Sequence, residues 1–311
     1  MTDKTISVIS FGGGFNLPLW AAQTNGFFDR HGVAITLQFT ADSRQVFSGL
    51  GRGDYHIAIT ALDNVVAYQE GHTESLGDQP NEFFAFMGSD EGFLSLVSAP
   101  DVPNFEALRG RSISVDDPAS GFSMLLREML RRNGLESEDV QLERAGGTDR
   151  RYADLLAGRH AATMLRTPFD LMAVEKGFHN LGGTVGTIGP YMGIVGASHR
   201  QWAAANEASL VAFIRAYRDG VKWLKTPGNR PQAEQLLRDN VPTMSKDLAS
   251  LACRAMLDPT HGFFDDVRLD HAGVAAVLAL RTRFRVPENP LVEPARYIDE
   301  RYWHTAQQER D

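Results

Sequence analysis

Arg44 and Arg166 stand just beyond the ends of two β-rich runs, Val33 to Phe39 and Ala161 to Leu165. A guanidinium so placed can present two parallel N–H donors to a carboxylate or sulfonate. Short loops rich in Gly, Ser, Thr and Asn share that position: Gly13, Gly14, Phe15 and Asn16; Thr40 to Ser43; Thr60, Asp63 and Asn64; Ser120, Gly121 and Phe122; Gly147 and Thr148; and Arg166 with Thr167. These loops lead toward predicted helices, so backbone N–H groups and the positive end of a helix dipole face whatever sits there. Helix capping accounts for any single Ser or Thr, and the loops as a set carry the expectation of a cleft suited to an anionic head group. Phe15, Phe122 and Tyr191 are candidates for an apolar wall, although Phe122 also falls on the core-facing stripe of a helix.

Catalytic and cofactor motifs are sparse. Gly12-Gly13-Gly14 ends a strand, but the dinucleotide fingerprint needs a glycine at position 17, which is Leu17. There is no P-loop, no G-x-S-x-G elbow and no H-E-x-x-H, and the nine histidines lack metal-ligand spacing. No cofactor and no metal are expected. The single cysteine, Cys253, falls in a late helix predicted to lie away from the cleft and reads as a small buried hydrophobe. Asp63, Asp116 and Asp117 lie near loop ends as conceivable acids, with helix capping or solvated charge as the plainer account.

The elements that must position these residues alternate. Ile6 to Phe11 reads as a strand, Leu17 to Ala21 as a helix with Pro18 in its first turn, and Val33 to Phe39 as a second strand, which makes one βαβ unit. Ser43 to Leu50 (helix), His56 to Thr60 (strand) and Leu62 to Gln69 (helix) continue the rhythm, which implies a parallel sheet. Two strands, Glu82 to Met87 and Phe93 to Val97, flank Gly88-Ser89-Asp90-Glu91-Gly92, a link that reads as a crossing between lobes. A second alternation follows: a strand at Arg111 to Val115; a helix with Phe122, Leu125, Leu126, Met129 and Leu130 on one face; a strand at Val140 to Glu143; a helix around Tyr152 and Leu155; and a strand at Ala161 to Leu165. Pro190 to Ala197 reads as a returning strand. Beyond Ser198 the chain turns helical, with Leu210, Ile214, Tyr217, Val221 and Leu224 as a core stripe, and these tail helices are expected to clamp the first lobe.

The whole is an α/β chain long enough, at 311 residues, for two globular units. Its 43% apolar and 23% charged residues suit a folded globule, and a net charge of −8 with no basic run argues against nucleic acid as a partner. No apolar run approaches the roughly 20 residues that span a bilayer, so membrane insertion is not expected.

In this order the pieces resemble the SsuA/THI5-like (NMT1-type) family of ABC-transporter solute-binding proteins. The carriers are Leu19-Trp20-Ala21-Ala22-Gln23 with Gly26-Phe27-Phe28, Gly53-Asp54-Tyr55-His56-Ile57-Ala58-Ile59-Thr60 and Leu108-Arg109-Gly110-Arg111-Ser112-Ile113-Ser114-Val115. To these are added Ser120-Gly121, Leu155 to Ala162 and Arg166-Thr167-Pro168-Phe169. The resemblance implies the two-lobed periplasmic-binding-protein type II fold, each lobe a mainly parallel sheet flanked by helices and joined to the other by paired hinge strands. The expected division is lobe I from residues 1–88 and 191–311, with lobe II, 89–190, inserted. The implied function is capture of a small organic, anionic or aromatic ligand for an ABC permease.

Enzymes also occur on this scaffold, among them desulfinases with a nucleophilic cysteine and a thiamine pyrimidine synthase with a cysteine-rich motif. With Cys253 alone, this chain departs from both. A decarboxylase or other lyase stays open, as does a cytoplasmic ligand sensor. Met1-Thr-Asp-Lys-Thr-Ile has neither a basic nor an apolar leader region, so the compartment is periplasmic if a signal peptide has been removed and cytoplasmic if the chain is complete as given.

Overall fold

A computed structural model describes residues 4–73, 76, 81–241 and 244–308, so the first three residues of Met1-Thr-Asp-Lys-Thr-Ile lie outside the described residues. The first half opens with β1 (Lys4–Phe11), α1 (Leu17–Thr24), α2 (Phe27–Arg30), β2 (Val33–Thr40), α3 (Ser43–Arg52), β3 (Ile57–Ala61), α4 (Leu62–Gln69) and β4 (Phe83–Gly88). Local chemistry sets the boundaries. Asp42 caps α3 by accepting from the Arg44 amide at 2.8 Å, and Gly53, at φ 80, ends it in the left-handed conformation that glycine adopts freely.

After the Ser89 to Gly92 link come β5 (Leu94–Ser98), β6 (Ser112–Val115), α5 (Gly121–Arg132), β7 (Gln141–Arg144), α6 (Thr148–Leu156), β8 (Ala162–Arg166), α7 (Phe169–Glu175), β9 (His179–Gly183) and α8 (Thr184–Ile188). The chain returns through β10 (Ile194–His199) and finishes with α9 (Arg200–Ala205), α10 (Glu207–Lys225), α11 (Arg230–Asn240), α12 (Lys246–Met256), α13 (His271–Arg285) and α14 (Arg301–Gln307).

The strands form two five-stranded sheets, ordered β2-β1-β3-β10-β4 and β7-β6-β8-β5-β9. In the first, β10 runs against both neighbours and the other four share a direction; in the second, β5 is the reversed strand. Each reversed strand is one that has just crossed between the sheets. Every residue of β3, β4, β5, β8 and β10 is buried, as strands covered by helices on both faces require.

The two crossings are stitched side by side. Ser89 donates its amide to Ile194 O at 2.8 Å, and Gly193 donates to Asp90 O at 3.0 Å. The tail lies across them: Gly88 N donates to Val267 O at 2.9 Å, and Phe264 N donates to Ser89 O at 2.9 Å. Two non-glycine residues hold left-handed backbone here, Phe93 (φ 40) and Val267 (φ 52), a strain that persists only where the surrounding packing fixes it.

The stripe Leu210, Ile214, Tyr217, Val221 and Leu224 on α10 is buried, and α10 packs on α1, α2 and α14. The tail does more than clamp the first sheet, because α12 also packs on α7, and α13 packs on both α4 and α5. α7, β9 and α8 were not foreseen; they are short and carry no apolar period long enough to read. No helix among the described residues is long and apolar enough to cross a membrane.

Candidate functional site

Ligands of open α/β sheets sit beyond the carboxyl ends of the strands, and here those ends meet across the seam between the two sheets. Gly14, after β1, lies where an added Cβ would be 3.1 Å from Pro168 Cδ and 3.2 Å from Thr167 O, after β8. A Cβ on Gly121, at the start of α5, would fall 2.3 Å from the carboxyl carbon of Asp63 at the start of α4. Glycine at both positions lets the two halves touch.

At this seam Arg166, the last residue of β8, is 5% exposed. Its guanidinium carbon stands 5.0 Å from the ring centre of Phe15, in the β1–α1 loop, and 5.0 Å from that of Phe122, on α5. Each half of the molecule thus supplies one cation–π partner. Both terminal nitrogens, Nη1 and Nη2, lack a hydrogen-bond partner, which is costly for a buried cation. Burial pushes the Arg166 pKa down, while Asp90, Tyr191 and Asp116 pull it up.

Asp90 is wholly buried in the first crossing. Its Oδ1 accepts from Gly92 N at 2.7 Å and Ile194 N at 3.4 Å, whereas Oδ2 has no partner. Burial pushes its pKa up, opposed by Arg166 and by the hydrogen bonds around it. Tyr191 is buried at the second crossing, its hydroxyl pushed well up by burial and by the charge of Asp63, against the pull of Arg166 and Arg281. The Ser123 hydroxyl, next to Phe122, is also buried without a partner.

The structure therefore brings together Phe15, Phe122, Arg166 and Tyr191 from the expected set, with Gly13, Gly14 and Gly121 shaping their approach. Gly13, at φ 150, leaves the room that Phe15 fills: a Cβ there would be 2.8 Å from the ring. The other expected residues make contacts of their own. Asn16 braces its own loop, donating to Phe11 O at 2.8 Å and Gly13 O at 3.0 Å and accepting from Ser10 Oγ at 2.6 Å. Thr40 Oγ1 donates to Gln45 Oε1 at 2.6 Å, the Ser43 hydroxyl meets that of Tyr68 at 3.0 Å, and Arg44 is exposed. Thr60 Oγ1 accepts from Asn64 at 3.1 Å. Ser120 caps α5 by accepting from Ser123 N at 3.2 Å and donates to Asp116 at 2.5 Å. Gly147 precedes α6 at the seam, a Cβ there being 3.9 Å from Ala41 Cβ, while Thr148 Oγ1 accepts from Arg151 at 3.2 Å. Thr167 Oγ1 donates to Asp170 at 3.2 Å.

Asp63 is bound to Arg281 of α13 through Nε at 2.8 Å and Nη2 at 2.6 Å, with both side chains buried. On the same helix Arg283 reaches Glu128 of α5 at 2.8 Å, and hydrogen bonds from Arg131 and Arg132 help hold that carboxyl down to about 2. Cys253 is buried among Ala249, Ala252 and Met256, and burial pushes its thiol up to about 12. Its helix is nearer the cleft than expected, since Met256 Sδ lies 3.3 Å from the Cβ position of Gly14. No cluster of three or more His, Cys, Asp or Glu able to hold a metal ion occurs among the described residues.

Two mixed sheets, a double crossing and a seam formed by strand ends define a periplasmic-binding-protein type II fold. The chain belongs to the NMT1/THI5-like family, whose model matches residues 16–229. The fold is similar to that of the periplasmic nitrate-binding protein NrtA from Synechocystis PCC 6803, at 14% identity over 98% of this chain and 88% of that one, with a TM-score of 0.78. It is similar also to the alkanesulfonate-binding protein SsuA from Xanthomonas axonopodis pv. citri bound to MOPS (14% identity; 96% and 99% of the chains; TM-score 0.76). A third similar structure is the ligand-binding component of an ABC-type import system from Staphylococcus aureus with zinc bound (11%; 99% and 100%; 0.78). Among curated proteins no sequence matches.

Proposed function

We propose that this protein is a solute-binding protein whose two lobes, residues 1–88 with 191–311 and residues 89–190, close on a small organic anion and present the closed form to an ABC-type permease. The observation that carries the reading is Arg166. A ring from each half stands 5.0 Å from its guanidinium carbon, and Nη1 and Nη2 are left without partners, two donors that a carboxylate or sulfonate can accept in parallel. Ligand contact drawn from both lobes favours the closed state, which is what a transport partner needs to recognise. Family membership and the similar import-system components support the delivery role.

A thermal-shift screen of small sulfonates and carboxylates tests it. An anion at about 100 times its dissociation constant stabilises the native state by about 2.7 kcal/mol. Arg166→Gln should abolish the shift while the protein stays folded; an unchanged shift would remove Arg166 from the site. A second reading, an enzyme on the same fold, draws on Asp90, a buried acid beside Arg166. Recovery of the bound compound by mass spectrometry separates the two, because capture returns it unchanged and catalysis returns a product.

A further inference from the structure

Three arginines and three aspartates are set against one another around the seam. Arg166 faces Asp90 and Asp116, Arg151 faces Asp116, and Arg281 is paired with Asp63. An anion arriving at Arg166 adds a negative charge that nothing in this set offsets, and an uncompensated buried charge is strongly unfavourable. Of the three carboxylates in this set, two already have side-chain partners. Asp63 holds two hydrogen bonds from Arg281, and Asp116, though burial pushes its pKa up, is opposed in this by the charge of Arg151 and by the Ser120 hydroxyl it accepts. Asp90 is different: its Oδ2 has no partner, and no hydrogen bond joins it to the equally unpartnered Nη1 and Nη2 of Arg166.

Resting on the reading of Arg166 as the anion-binding residue, we propose that the cleft takes its anion together with one proton, carried on Asp90 as a neutral carboxylic acid whose Oδ2–H donates into the site. The proton comes from solvent and one O–H bond forms; no other bond changes. Protonation turns Oδ2 from an unpartnered acceptor into a donor, so that Arg166 and Asp90 both offer hydrogens to a ligand group that has only acceptors. Oδ1 stays free to accept from Gly92 and Ile194.

The polar groups packed around Asp90 come from every side of the crossing. Arg166 approaches from β8. The Ser89 hydroxyl, which bonds Tyr217 of α10 at 3.0 Å, and the Gly92 amide act on Asp90 from its own segment, both lowering its pKa against burial. Ile194 N comes from β10, and the neighbouring Glu91 points away to His261 at 3.1 Å. Arg166 is the only cation among them, and burial already favours the acid form of Asp90.

Isothermal titration of the whole protein with butane-1-sulfonate and with benzoate, each in two buffers of different ionisation enthalpy, counts the protons taken up per anion bound. Wild-type protein should take up as much as one. Affinity should fall up to tenfold per pH unit as pH rises from the pKa of Asp90 in the empty protein to its pKa in the complex. Asp90→Asn keeps the Oδ1 acceptor and supplies a permanent neutral donor, so its binding should lose both proton uptake and pH dependence. If both anions bind, and lose binding on Arg166→Gln, yet no proton is exchanged, the proton linkage falls and the anion site stands. If neither anion binds wild-type protein at millimolar concentration, the anion site falls and the linkage with it.

Discussion

Gly121 packs against Asp63 so closely that the carboxyl group occupies the space a methyl group would need. Asp63 cannot step aside, because Arg281 holds both of its oxygens. The first turn of α5 therefore rests on an ion pair that belongs to the opposite half of the molecule. Gly121→Ala should cost about 1–3 kcal/mol as overpacking and act chiefly by keeping α5 from seating on α4. Small-angle scattering should show a larger radius of gyration than wild type in the presence of a saturating anion. Equal radii would mean that the seam tolerates the methyl group.

The pair itself should be worth more broken than replaced. Asp63→Asn or Arg281→Met alone leaves a buried charge without its counterpart, at an expected cost of about 3–5 kcal/mol, whereas Asp63→Leu with Arg281→Met should recover most of that loss. Urea unfolding of the two single variants and the double variant measures the difference. A double variant as unstable as the sum of the single ones would contradict it.

Asp170, at the start of α7, offers a pH test that reads stability rather than binding. Burial raises its carboxyl to about 6, against hydrogen bonds from Leu171 N, Ser95 and Thr167. A carboxyl raised in the native state binds its proton more tightly there than in the unfolded chain. Its contribution to stability is therefore complete below the unfolded pKa and is lost as pH rises through about 6. The full span is about 3 kcal/mol. Asp170→Asn should remove this part of the pH profile, so denaturant midpoints from about pH 4 to pH 8 should slope less in the variant than in wild type. Parallel profiles would show that Asp170 keeps its proton, or its charge, across the whole range.

Cys253 provides a reporter that needs no substitution. Buried, and with a thiol raised to about 12, it should resist a thiol-specific reagent in the native protein and react in denaturant along the unfolding curve. Rapid native-state labelling would mean that α12 opens locally against α7 and the seam.

Much of this architecture is legible in the sequence because strand ends and helix starts carry short-range signals: glycine turns, capping serines, apolar periods. Arg166 could be singled out for the same reason, as an arginine at the end of an apolar run. Asn16 and Asp63 show what such signals leave open. A polar residue after a strand has the same appearance whether it faces a ligand or braces its loop, and the partner that occupies Asp63 is 218 residues away. Asp90 carried no period at all; only the fold shows that the link containing it runs beside the returning strand and under the tail. Phe122 reads as both stripe and cleft, and the structure has it do both, packed against the core with its ring 5.0 Å from the Arg166 guanidinium.

The place of β10 has a consequence for how the chain is made. It fills the gap between β3 and β4, yet the ribosome delivers it only after the entire second sheet, which comes from one uninterrupted stretch between Leu94 and Gly183. A nascent chain that stops short of Ile194 can complete the later sheet but not the earlier one, whose β3 and β4 then offer unpaired, largely apolar edges to any neighbour. The N-terminal part of this protein is thus the last to be finished. Its newly made first strands need shelter until the chain comes back, and that interval, rather than the finished fold, is where aggregation threatens.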